Sequence, residues 1–162
     1  MQTNSTSKII DRIATLTSHL SSSTSQTNKP GQTMASRPPI TCHVLDTTLG
    51  RPGGNIPVSL TLLSTTGFCP RFNGITNADG RVTAWSTELS GFPPSLETVF
   101  HDAESSATRW SLKFDVSRYF GEREIEAFFE EVEIKFVVRS RKEHYHVPVL
   151  LGPYNYTTYR GS

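Results

Sequence analysis

Few cysteines, almost no net charge and no long apolar run are the first features of this chain, and each closes off a class of function. Cys42 and Cys69 are too few to staple a secreted scaffold. Both fall in apolar or aromatic surroundings, which predicts buried thiols in a reducing compartment; a single disulfide between them is the alternative the sequence leaves open. The formal charge is only +1, with acids and bases interspersed, so nothing resembles an electrostatic footprint for nucleic acid or a membrane surface. No apolar stretch is long enough to span a bilayer. A nucleophile-elbow sequence is missing, and so is a Ser-Lys-Leu type address at the end. What remains is 162 residues, enough for one domain with a proper core plus an extension.

The extension is residues 1–37. From Ser21 to Ser36 the chain is Ser, Thr, Gln, Asn, Lys, Pro and Gly with almost nothing to bury, which reads as a flexible linker. Ahead of it Ile9, Ile13, Leu16 and Leu20 fall on one face of a short amphipathic helix that lacks the apolar core of a secretory signal.

Residues 38–162 read as β. Ile56 to Leu62, Trp110 to Val116 and Val132 to Val138 alternate apolar and polar side chains, as half-buried strands do. Asn77-Ala78-Asp79-Gly80 is a turn in which Gly80 is free to take positive φ. Ser117 to Arg123 is expected as a single short helix with Ser117 as N-cap, and Phe92 to Ala107 as loop. Many short strands separated by turns predict a β-sandwich.

The chain ends on a dense aromatic run from His144 through Tyr154, Tyr156 and Tyr159 to Arg160-Gly161-Ser162, where a polar, frayed tail is the norm. The run is therefore expected to be packed. Arg160 cannot be buried without a partner, so it belongs at a wet interface or in a site for something polar.

His144-Tyr145-His146-Val147-Pro148 followed by Pro153-Tyr154-Asn155-Tyr156-Thr157-Thr158-Tyr159-Arg160-Gly161-Ser162 resembles the C-terminal signature of the 5-hydroxyisourate hydrolases, the transthyretin-related enzymes of urate breakdown. Ile40 to Asp46 with Gly50-Arg51-Pro52, and Asn77 to Val82, are similar to two further motifs of that family, in the same order. The resemblance implies an all-β, transthyretin-like (prealbumin-like) sandwich of two four-stranded sheets with one short helix. It also implies a homotetramer built as a dimer of dimers, with the site where two dimers meet. The activity implied is hydrolysis of 5-hydroxyisourate to 2-oxo-4-hydroxy-4-carboxy-5-ureidoimidazoline, with no cofactor and no metal. A transthyretin-like carrier of a small aromatic ligand is the alternative.

Opening a cyclic amide with water needs a group that positions or deprotonates water, a group for the developing oxyanion, and groups that hold the ring. His43 lies on the first strand with Cys42 and Val44 pointing to the other face, and the resemblance implies that it activates or orients water. His144 and His146 alternate about Tyr145 and share one face. Spacing alone admits a zinc site made by these two with His43, but it is weak evidence. The resemblance makes His146 catalytic; His144 is expected to be supporting or interfacial. By the same resemblance Arg81 stabilises the oxyanion and binds substrate, a role suited to a permanently charged, planar fork. Arg160, Tyr159, Gly161 and Ser162 would bind substrate, with Thr158 lining the pocket. Ser162 would also act in catalysis, through its hydroxyl or an α-carboxylate, by orienting water rather than as an acyl-bearing nucleophile.

Arg12-Ile13, with Leu16 in the middle of the next five residues and then His19-Leu20, resembles a type-2 peroxisomal targeting signal. Its helical face suits an import receptor groove. Peroxisome is the expected location; the cytoplasm, a chance pattern or a mitochondrial helix are the alternatives.

Overall fold

The computed structural model describes residues 37–64, 67–87, 92–103 and 106–162. Arg12, Ile13, Leu16, His19 and Leu20 lie outside the described residues.

Among the described residues nine strands and two short helices follow in the order β1 (Ile40–Asp46), β2 (Arg51–Pro52), β3 (Pro57–Leu63), β4 (Arg71–Ile75), β5 (Arg81–Val82), α1 (Leu96–Asp102), β6 (Thr108–Asp115), α2 (Val116–Gly121), β7 (Glu131–Val138), β8 (Tyr145–Leu151) and β9 (Tyr156–Thr158). They form two sheets. One is four-stranded, in the order β4-β3-β6-β7, with every pair antiparallel. The other has five strands instead of the expected four, because β2-β1-β8-β9 is joined by the two-residue β5 against β1. A two-residue strand carries too little pattern for alternation to reveal it.

Alternation was a sound guide to the core. Val58, Leu60, Leu112, Phe114, Val132 and Ile134 face inward from one sheet, and Ile40, Cys42, Val44, Val147, Val149 and Leu151 from the other, all buried. Glu131, Glu133 and Lys135 alternate outward on β7. Almost every residue of β8 is buried, not only one side of it. It sits mid-sheet, parallel to β1 on one edge, with β9 and the His146–Gly161 bridge along the other.

Two expectations about helices need correction. The α2 helix starts at Val116 and is capped by Asp115, whose carboxylate accepts from the Arg118 amide at 3.1 Å, so Ser117 is not the cap. The segment read as loop contains α1, where Ser95 caps and Leu96 and Phe100, one turn apart, plug the core. Seven residues behind Pro93-Pro94 give too short a period to stand out.

Two further expectations change. Cys42 is a buried, unbridged thiol, its pKa pushed up to about 12 by burial, whereas Cys69 is free but only half-buried in a loop. The aromatic terminus is not packed in the single chain: Tyr154, Tyr156, Tyr159, Arg160 and Ser162 are exposed.

Asp46 closes β1. Its buried carboxylate accepts from the Thr48 amide at 2.8 Å, the Leu49 amide at 3.1 Å, the Thr48 hydroxyl and the Tyr119 hydroxyl at 2.8 Å. Burial pushes its pKa up, but the hydrogen bonds from Thr48, Tyr119 and Leu49 outweigh that and hold it below the usual carboxylate value. Tyr119, buried and bonded to Asp46, is pushed up to about 12. This network docks α2 onto β1 and fixes the end of the strand that carries His43.

Candidate functional site

The parallel pairing of β1 with β8 sets Thr41 opposite His146 and His43 opposite Pro148. Since side chains alternate along a strand, Thr41, His43, His146 and His144 share the face turned away from the core. The antiparallel pairing of β5 on the other edge of β1 places Arg81 opposite His43. Residues separated by about a hundred positions thus become neighbours on one surface, as the 105-residue separation of Thr41 and His146 illustrates.

Arg81 owes its place to its turn. The Asn77 side-chain oxygen accepts from the amides of Asp79 at 3.0 Å and Arg81 at 2.9 Å. Gly80 takes φ +72°, and a Cβ there would stand 2.3 Å from the Val44 carbonyl oxygen. Only glycine lets the turn lie this close to β1. The sequence expectation for Gly80 holds, and it is what delivers Arg81 to the histidine face.

The His43 and His146 rings lie 6.4 Å apart and nearly parallel, with an interplanar angle of 25°. His146 and His144 repeat this arrangement at 6.3 Å and 21°. Between the second pair stands the hydroxyl of Thr41, 2.8 Å from His146 Nδ1 and 3.1 Å from His144 Nε2. These two imidazole nitrogens face one hydroxyl, and the arrangement is a hydrogen-bonded chain. Sequence reasoning passed over Thr41, because a lone threonine in a strand is unremarkable until its partner across the sheet is known.

All three histidines are held toward the neutral form. His146 is pulled down to about 4, first by burial and then by Arg81, Arg37, His144 and His43. His43 is lowered by burial and by Arg81, partly opposed by Asp79. His144 is lowered by burial and by Arg37. Neutral imidazoles beside a guanidinium can accept or donate a proton at neutral pH and stabilise developing negative charge.

The C-terminal segment returns along this face. The Gly161 amide donates to the His146 carbonyl at 2.9 Å, and a Cβ at Gly161 would be 2.6 Å from His146 Cδ2. A cleft of about 330 Å³ beside it is lined by Tyr145, His146, Thr158, Tyr159, Arg160 and the aliphatic side of β7. Arg160 turns toward Tyr145, its guanidinium carbon 5.3 Å from the ring centroid, and pairs with Glu143. It is not among the charges that lower His146. The structure therefore brings His43, Arg81, His146 and Gly161 together, places Tyr159 and Arg160 on the adjoining cleft, and leaves Ser162 exposed one residue beyond Gly161.

Residues 40–161 match the HIUase/Transthyretin family. A probable 5-hydroxyisourate hydrolase of Schizosaccharomyces pombe is 36% identical over 140 residues, covering 80% of this chain and all of the relative. Among solved structures, the 5-hydroxyisourate hydrolase of Klebsiella pneumoniae superposes with a TM-score of 0.54 at 30% identity, over 76% of this chain and 98% of that one. Sea bream transthyretin in complex with thyroxine reaches a TM-score of 0.60 at 25% identity, over 76% of this chain and 94% of that one.

Proposed function

The chain belongs to the HIUase/Transthyretin family, and we propose that it hydrolyses 5-hydroxyisourate to 2-oxo-4-hydroxy-4-carboxy-5-ureidoimidazoline in urate degradation. The observation that carries this reading is the pair of neutral histidines, His43 and His146, stacked 6.4 Å apart beside Arg81. In the reaction, water oxygen bonds to the cyclic amide carbonyl carbon and gives a proton to one histidine. Arg81 steadies the oxyanion and holds the ring. The ring C–N bond then breaks, and the nitrogen leaves with a proton, giving the carboxyl and ureido groups of the product. Tyr159, Arg160, Gly161 and Ser162 bind substrate in this scheme, with Arg160 exchanging Glu143 for the heterocycle and Ser162 orienting water. A carrier of the transthyretin type would have no use for His43, Arg81 and His146 in this arrangement.

The test is the ultraviolet decay of 5-hydroxyisourate generated in place by urate oxidase, with the protein, with His146→Ala and with a chelator. Acceleration lost in the variant and untouched by the chelator supports metal-free hydrolysis at this site. Decay no faster than the spontaneous rate, from well-folded protein, refutes it.

A homotetramer built as a dimer of dimers completes the site in our reading. Tyr159, on the cleft beside His146, is 57% exposed in the single chain, and Phe128 and Tyr154 are 75% and 66% exposed elsewhere on its surface, aromatic area that an interface between copies would cover. Sizing under assay conditions decides: an active monomer overturns it. For location, we propose import into peroxisomes through Arg12, Ile13, Leu16, His19 and Leu20. A fluorescent reporter carrying residues 1–37 should become punctate with a peroxisomal marker, and Arg12→Ala with His19→Ala should disperse it; a cytoplasmic wild-type reporter refutes the signal.

A further inference from the structure

Thr41 joins His144 and His146 in one largely buried hydrogen-bonded chain. Each imidazole, being neutral, carries one proton, and the Thr41 hydroxyl carries one more. The hydroxyl oxygen could also accept from both rings, but its own hydrogen would then be stranded, because Thr41 Oγ1 has no acceptor other than these two nitrogens among the described residues. Two directions are then open. In one, His144 Nε2–H donates to Thr41 Oγ1 and the Thr41 O–H donates to His146 Nδ1. In the other, His146 Nδ1–H donates to Thr41, which donates to His144 Nε2. The two leave opposite groups at the ends of the chain. The first leaves a lone pair on His144 Nδ1 and a proton on His146 Nε2; the second leaves a proton on His144 Nδ1 and a lone pair on His146 Nε2.

His144 Nδ1 settles the choice. It is buried from solvent with no hydrogen-bond partner among the described residues. A stranded N–H is the rarer and costlier defect, since its one hydrogen has nowhere to go, whereas an unfilled lone pair is better tolerated. The first direction is therefore the stable one.

We infer that Thr41 and His144 are positioning residues that hold His146 as the Nε2–H tautomer, making it a hydrogen-bond donor and leaving His43 to take the proton from water. The inference rests on the hydrolase reading for its catalytic consequence, but the tautomer itself does not. Each atom of the chain supports the assignment. Thr41 reaches His146 Nδ1 at 2.8 Å from the strand directly across, so its hydroxyl fixes ring rotation as well as proton placement. His146 Nε2 adjoins the Cδ2 edge against which Gly161 packs, so the donor points to the mouth of the terminal segment. His43 lies outside the chain, half-buried, with its ring facing that of His146. The oxyanion would then receive Arg81 and the His146 Nε2–H together, the two donors the step requires, while His43 keeps its lone pair for water.

The experiment is ¹⁵N NMR of full-length protein labelled at histidine, read at neutral pH, with His146 signals assigned by comparison with His146→Gln. The wild type should show His146 protonated at Nε2 and bare at Nδ1; the reverse pattern overturns the inference. Thr41→Val keeps the shape and removes the hydroxyl. It should mix the His146 tautomers and lower kcat by roughly tenfold to a hundredfold with little change in KM, the range for losing a group that orients a catalytic imidazole. Thr41→Ser, which restores the hydroxyl, should recover both the spectrum and most of the rate. An unchanged kcat and an unchanged spectrum in Thr41→Val also overturn it. Should Thr41→Val fail to fold, the wild-type spectrum and Thr41→Ser still decide. If the wild type hydrolyses nothing, the hydrolase reading falls while the spectrum continues to judge the chain.

Discussion

Adding one methyl group at position 161 should separate catalysis from folding. Gly161 is not among the glycines with positive φ, so alanine there is not forced into the left-handed region. Space is the difficulty. The new Cβ would lie 2.6 Å from His146 Cδ2 and 3.0 and 3.1 Å from Pro148 Cγ and Cδ, where ordinary contact is 3.4–4 Å. Either the His146 ring or the terminal segment must move by about 1 Å. The ring is tied at Nδ1 to Thr41, 2.8 Å away, and the segment is tied by the Gly161 amide to the His146 carbonyl at 2.9 Å. Whichever yields, the imidazole and the residues around it lose their alignment. A displacement of about 1 Å in catalytic geometry costs about a hundredfold in rate, or about 2.7 kcal/mol of transition-state stabilisation. The fold should hardly notice, because Gly161 lies outside the core. We expect Gly161→Ala to lose about a hundredfold in kcat/KM in the 5-hydroxyisourate decay assay. Its melting temperature should move by no more than about 4 °C, equivalent to about 1 kcal/mol for a chain of this size. Wild-type kcat/KM in a folded Gly161→Ala protein would refute the claim that this close contact seats His146.

Gly80→Ala should act the other way: positive φ and a 2.3 Å approach to the Val44 carbonyl predict a loss of about 3 kcal/mol in urea unfolding, and a loss under about 1 kcal/mol would contradict the turn geometry. Asp46→Ala strips the acceptor from the Tyr119 hydroxyl and the Thr48 and Leu49 amides and should cost about 3 kcal/mol at neutral pH. Because the folded-state pKa of Asp46 is lowered, its contribution is complete above the ordinary value of 3.8 and fades as pH falls through the lowered one. The penalty should therefore shrink in strong acid, and a penalty independent of pH would count against the ionised network. The acid limb of kcat/KM should lie below the ordinary histidine value of 6.5, since burial and Arg81 favour neutral His43 and a base is lost on protonation. His146, at about 4, should titrate only beyond it, and an inflection at or above 6.5 would show that the base His43 is not held neutral.

What the sequence determined by itself is whatever depends on near neighbours. Alternation over Ile56 to Leu62 and Val132 to Val138 located strands and their buried faces, because a two-residue period is a local property of extended chain. The Asn77 to Gly80 turn was legible because an asparagine oxygen and a glycine with free φ act within four residues. His43, Arg81 and His146 could be named as candidates from their motifs, yet nothing local says that they meet. That was decided by pairing: β8 parallel to β1, and β5 on its other edge. The same pairing made Thr41 matter, through a partner 105 residues away. Short elements escaped for a related reason. α1 and β5 hold too few residues for a period to show, and they exist because the sandwich offers Leu96, Phe100 and Val82 a core to fill. The exposed aromatic terminus is the complementary case: its composition was plain in the chain, but only the tertiary structure showed that one copy alone leaves Tyr154 and Tyr159 in water.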